Sequence, residues 1–184
     1  MTDAPSPHRT APAPPAADTK DWTWVLERPC PECGFVAADV AVDDIGPAVR
    51  DLVPRWRAAL ARPDVRDRPR PQTWSVLEYG AHVRDVNHVF AGRLAAMLDD
   101  DDPQFADWDQ DAAALAGEYW SQDPARVADE LATAALALAD LFDAVPADAL
   151  DRPGRRSNGS RFTVRTLGQY YLHDVVHHTH DVGA

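Results

Sequence analysis

Apolar residues recur at helical spacing in four stretches of the chain. Ile45, Val49, Leu52, Val53, Trp56 and Leu60 predict a first helix over about 44 to 61. Asp43 is its expected cap, and Pro47 falls in the first turn, where a missing N–H costs little. Val76, Tyr79, Val83, Val86, Phe90, Leu94 and Met97 predict a second. Its start is written locally. Ser75-Val76-Leu77-Glu78 is a capping box, and Trp74 with Tyr79 forms a hydrophobic staple across it. Asp99 to Asp102 and Pro103 end it, because four acids oppose the negative end of the helix dipole. Val127, Leu131, Ala134, Leu138 and Leu141 predict a third long helix over 124 to 144, with Asp123 as cap and Pro124 in first position. The last runs from near Thr163 to about His180. Between the second and third, residues 110 to 120 suggest a short helix, and only 161 to 164 suggests a strand. The expected fold class is all-α: a four-helix bundle with a long connection between helices 2 and 3.

The ends differ from this body. Residues 1–20 carry five prolines and almost no large apolar side chain, so a disordered tail is expected there. Residues 21–42 carry Trp22, Trp24 and Phe35 around Cys30-Pro31-Glu32-Cys33-Gly34, a segment expected to pack on the bundle of 43–184.

Composition narrows the function. With 30 acidic residues against 18 basic, the net charge is -12. Such a chain repels phosphates, which excludes a general nucleic-acid binder and a protein held on anionic lipid. No apolar run reaches membrane-spanning length, and no apolar signal core opens the chain, so a cytoplasmic location is expected.

Candidate chemistry lies in the histidines. Six of the seven fall in the second and last long helices, four of them in His173-Asp174-Val175-Val176-His177-His178-Thr179-His180. His173 and His177 stand one turn apart on one face, where neutral imidazoles can converge on a divalent ion. His82, beside the apolar stripe of the second helix, is the best third ligand; His88 should face solvent. Three histidines with one open position is the pattern of a catalytic metal site. Zinc is the expected ion, with nickel or iron as alternatives. Asp174 could orient an imidazole from outside the ligand set.

The cysteine pair resembles the C-P-x-C-G knuckle of rubredoxins and zinc ribbons. With no other cysteine in the chain, a structural zinc there needs histidines, with His178, His180 or His88 available. A redox dithiol and a pair of reduced thiols are the other readings.

Trp74-Ser75-Val76-Leu77-Glu78-Tyr79-Gly80-Ala81-His82, Arg93-Leu94, and His173-Asp174-Val175-Val176-His177-His178 together resemble the DinB-like superfamily over about 43 to 182. The resemblance implies a four-helix bundle holding a divalent metal through one histidine of helix 2 and two of helix 4, here His82, His173 and His177. It also implies enzymes that use low-molecular-weight thiols, namely mycothiol or bacillithiol S-transferases and mycothiol-dependent maleylpyruvate isomerase. Small-molecule partners and a possible homodimer follow from the same resemblance. The function expected is a metal-dependent, thiol-using transferase. The rivals are a metal-dependent hydrolase and a non-enzymatic, metal-stabilised binding or stress-response module.

Overall fold

The computed structural model describes residues 12–13 and 21–184, so all but two residues of the expected tail lie outside the described residues. Five α-helices and three short strands follow in order: α1 Val42–Leu60, α2 Val76–Asp99, β1 Gln104–Phe105, α3 Gln110–Ala116, α4 Pro124–Asp143, β2 Pro153–Arg156, β3 Arg161–Thr163 and α5 Val164–Asp181. Helices α1, α2, α4 and α5 form the bundle, with α4 packed against both α1 and α2, and α5 against both from the other side. The long connection between α2 and α4 carries β1 and α3.

Each helix buries the stripe its spacing dictates. Ile45, Trp56 and Leu60 of α1 meet Leu131, Leu138 and Phe142 of α4 and Leu167 and Tyr171 of α5 in one core. Helix α1 begins at Val42 instead of 44, which moves Pro47 out of the first turn and leaves Pro54 in the interior. Both prolines are exposed. Each removes one amide donor on the water side, and burial of the opposite stripe outweighs the loss.

Helix α2 starts as expected. Ser75 Oγ accepts from the Glu78 N–H at 3.3 Å, and Glu78 Oε2 accepts from the Ser75 N–H at 2.9 Å. The Trp74 and Tyr79 rings meet edge to face with centroids 5.5 Å apart. Glu78 is 2 % exposed and pairs with Arg68 from the preceding loop, whose Nε donates to Glu78 Oε2 at 2.9 Å. Burial by itself would raise the Glu78 carboxyl; Arg68 and the Ser75 donors override it and hold it below the usual range. At the other end, Arg152 donates to the carbonyls of Met97 and Asp100, both at 2.7 Å. A guanidinium thus neutralises the helix end that the acids burden.

The sheet has the order β1-β2-β3. Strand β1 runs parallel to β2 with Gln104 opposite Arg155, and β2 runs antiparallel to β3 with Gly154 opposite Phe162. It ties the loop after α2 to the loop before α5. On the other flank, residues 21–41 form two single 3-10 turns, Trp22–Leu26 and Ala37–Asp39, around the cysteine knuckle. This segment packs on α5, and Gln169 Nε2 donates to the Val40 carbonyl at 2.9 Å. No helix among the described residues is long and apolar enough to cross a membrane.

Candidate metal centre

Helix α5 presents two donor stripes side by side. His173 and His177 lie one turn apart; Asp174 and His178 repeat the same spacing about 100° further round. The first stripe faces the N-terminal segment, and the second faces α2. That division sorts the side chains into two clusters.

The donor atoms of His82, Asp174 and His178 all lie within 4.8 Å of one another. His82, 1 % exposed, projects from the second turn of α2, four residues after Glu78. Its ring stacks on Trp108 at 5.3 Å and leans on Trp74 at 5.2 Å. Its Nε2 is 3.8 Å from Asp174 Oδ1, and His178 Nε2 is 3.7 Å from the same oxygen. These distances are too long for hydrogen bonds. Both ring nitrogens of His82 and Oδ1 of Asp174 are buried with no hydrogen-bond partner among the described residues. Buried polar atoms are nearly always satisfied, so this convergence fits a cation between them. His178 Nδ1 meets Asp181 Oδ2 at 2.9 Å, an outer contact on the nitrogen opposite the one that faces Asp174.

The donor atoms of Cys30, Cys33, His173 and His177 form the other cluster, again within 4.8 Å of one another. Cys30 Sγ lies 3.6 Å from His177 Nδ1. Both cysteines are free thiols. Trp22 covers the two imidazoles, 5.8 Å from His173 and 5.2 Å from His177, and Phe35 adds a ring 5.5 Å from His173.

Burial favours the neutral imidazole at His82, His173 and His177. Burial holds His82 well below its usual range, with His178 adding to it. Burial pushes His173 down to about 4, with His177 and His178 contributing. His177 is lowered by burial against the pull of Asp181. Burial also raises the Asp174 carboxyl and pushes the Cys33 thiol up to about 11. Neutral nitrogens are the form that binds metal.

These groupings differ from the sequence expectation in two places. His82, His173 and His177 do not converge: His82 meets the neighbouring stripe of α5, so Asp174 and His178 stand beside it. Cys30 and Cys33 meet His173 and His177 in place of His178 or His180, because the knuckle lies over the outer stripe. His180 and His88 are exposed. Asp174, expected to orient a ligand, is itself placed as a donor. The signal that could have found it was present: the spacing Asp174-x-x-x-His178 repeats that of His173-x-x-x-His177.

A cavity of about 290 Å³ opens beside both clusters, walled by Trp22, Trp74, Tyr79 and Tyr170 and reaching His173, Asp174, His177 and His178. A second cleft of about 720 Å³ shares Trp22, Tyr170 and Asp174 with it and adds Arg93 and Arg156.

No curated protein matches the chain in sequence. Among solved structures, the fold is similar to YfiT from Bacillus subtilis, described as a probable metal-dependent hydrolase with an unusual four-helix bundle topology. The likeness has a TM-score of 0.67 at 18% identity and covers 76% of this chain and 82% of that one. At that identity it is a likeness of fold. The sequence model of the DinB superfamily matches residues 47–182, which takes in α2, α4 and α5 whole, α1 from Pro47 onward, and all the clustered histidines. The chain therefore belongs to the DinB superfamily.

Proposed function

We propose that the chain is a metal-dependent enzyme that transfers a low-molecular-weight thiol, mycothiol or a close analogue, to an electrophilic small molecule. A divalent ion held by His82, Asp174 and His178 would serve the reaction. The observation that carries this reading is the convergence of these three donors, two of them with buried unpartnered atoms, at the edge of a cavity. Three protein donors leave a coordination position for a reactant. When bound there, a divalent ion supplies Lewis-acid charge that favours the ionised form of a thiol.

The protein's own residues do the rest. Trp74 and Trp108 fix the His82 ring, and Asp181 fixes the tautomer of His178. Trp22 and Tyr170 line both cavities and border the space next to Asp174. Two cavities meeting at one donor suit two reactants. The second cleft sets Arg93 and Arg156 among Asp21, Asp107, Asp109, Asp111 and Asp174, with Arg156 paired to Asp107, so its lining is acidic on balance and suits an uncharged electrophile. The thiol gives up its proton to solvent, and its sulfur forms the S–C bond as the leaving group departs with its electron pair, or as the electrons move onto a conjugated acceptor that then takes a proton from water.

A cavity beside an open donor set favours an enzyme over a metal-stabilised binding module. The second reading is hydrolysis with water as the nucleophile, and the description of YfiT favours it.

The test is consumption of mycothiol with an alkylating electrophile by the zinc-loaded protein. The expected result is turnover that disappears on chelation and falls at least about tenfold in His82→Ala, while His88→Ala keeps it. Equal rates after complete chelation overturn the proposal. Metal-dependent cleavage of an ester or amide without any thiol would establish the second reading in its place.

A further inference from the structure

The cysteine cluster lies outside the donor set assigned to the reaction, and its chemistry differs. We propose that Cys30, Cys33, His173 and His177 form a second, closed metal site that takes zinc and locks the N-terminal segment onto α5.

The knuckle is built to aim two sulfurs at one point. Gly34, at φ +75°, turns the chain back so that its N–H donates to the Cys30 carbonyl at 2.9 Å. The Cys30 N–H in turn donates to the Phe35 carbonyl at 2.9 Å. Only glycine takes that φ at no steric cost. Helix α5 supplies the other half, since His173 and His177 stand one turn apart with their rings 5.2 Å apart. With zinc bonds of about 2.0–2.3 Å, the edges of a tetrahedron of two sulfurs and two nitrogens are about 3.3–3.8 Å. Cys30 Sγ and His177 Nδ1, at 3.6 Å, already span such an edge. The remaining donors are no more than 4.8 Å apart, so closure needs shifts of about 1 Å.

Two independent features point to an ion. His173 is 3 % exposed, and its Nε2 is buried with no hydrogen-bond partner among the described residues. His177 turns its Nε2 toward Glu32 at 3.6 Å and Asp181 at 3.8 Å, which leaves Nδ1 for the sulfur side. Carboxylates on the far nitrogen are the usual outer partners of a zinc-binding imidazole. Four protein donors leave no open position, so the ion is structural. Its effect on the cavity is direct. Trp22 and Glu32, both carried by the locked segment, are walls of the 290 Å³ cavity.

The full chain, loaded with zinc and then with cobalt(II), provides the test. The cobalt protein should show a near-ultraviolet thiolate-to-metal charge-transfer band. That band should vanish in the Cys30→Ser/Cys33→Ser variant, with loss of one zinc per chain, and persist in His82→Ala. It reports this site alone, whether or not the His82 cluster binds an ion. An absent band in the wild-type cobalt protein, or unchanged zinc content in the double variant, overturns the proposal. Should the double variant fail to fold, thiol titration of the wild type decides: zinc should shield both thiols from a disulfide reagent, and a chelator should expose both. Equal reactivity with and without zinc overturns the proposal.

Discussion

Replacing Arg68 by alanine strands a buried charge beneath the candidate site. The Glu78 side chain is 3% exposed and that of Arg68 13%, so water can replace little of the guanidinium. The variant loses two charge-assisted hydrogen bonds to Glu78. Glu78 keeps only the N–H and hydroxyl of Ser75, at 2.9 and 2.8 Å. Removing one partner of a buried pair costs about 3–5 kcal/mol, and the surviving Ser75 bonds put this case near 3. For a chain of this length about 3 kcal/mol lowers Tm by roughly 6–12 °C. Urea unfolding followed by tryptophan fluorescence measures the loss directly. Arg68→Met/Glu78→Gln should recover part of it, because the orphaned charge is gone. The pH dependence has a definite sign. The Glu78 carboxyl is held below its ordinary value, so the pair contributes fully above about pH 4.3 and is lost as the pH falls through the depressed pKa. The gap between wild type and Arg68→Ala should therefore narrow in acid. A loss under about 1 kcal/mol at neutral pH, the range of exposed pairs, refutes the reasoning.

Two further outcomes test the packing. A Cβ at Gly168 would sit 2.4 Å from Ile45 Cδ1 and 2.9 Å from Phe142 Cε1, so Gly168→Val should cost about 2–3 kcal/mol and lower the calorimetric Tm; an unchanged Tm means that α1 and α4 can yield there. Tyr171 donates to Asn87 Oδ1 at 2.6 Å inside the core, so Tyr171→Phe should cost about 1–3 kcal/mol in urea unfolding by orphaning that oxygen; a neutral result means that water reaches Asn87.

What the sequence revealed was what its physics keeps local. The start of α2 is legible because Trp74, Ser75, Glu78 and Tyr79 carry cap and staple within six residues. Asp123 and Pro124 announce α4 in the same way, with Asp123 accepting from the Arg126 N–H. Strand β3 was visible, but β1 and β2 were not. They are two and four residues long, and their pairing of Gln104 with Arg155 depends on loops distant in sequence. The donor clusters show the same limit. Spacing marks which residues of α5 share a stripe, yet it does not say which stripe faces α2. That choice is made by the rotation of α5, which close approach at Gly168 and burial of Val164, Leu167 and Tyr171 fix. The Arg68–Glu78 pair is not legible in the sequence, because its members belong to a loop and a cap, where charge normally meets water.

The adjacent stripes of α5 also set a rule for how this gene can change. Sequence neighbours serve different clusters: His173 and His177 belong to one, Asp174 and His178 to the other. A single-residue insertion or deletion between Gly168 and His173 would turn every later side chain by about 100°. An insertion would set His173 where Asp174 now faces His82, and a deletion would set Val175 there. The reading frame of this helix is thus held twice over, by two clusters that demand the same phase. Length variation should be confined to connections such as 144–152, where no donor depends on the count.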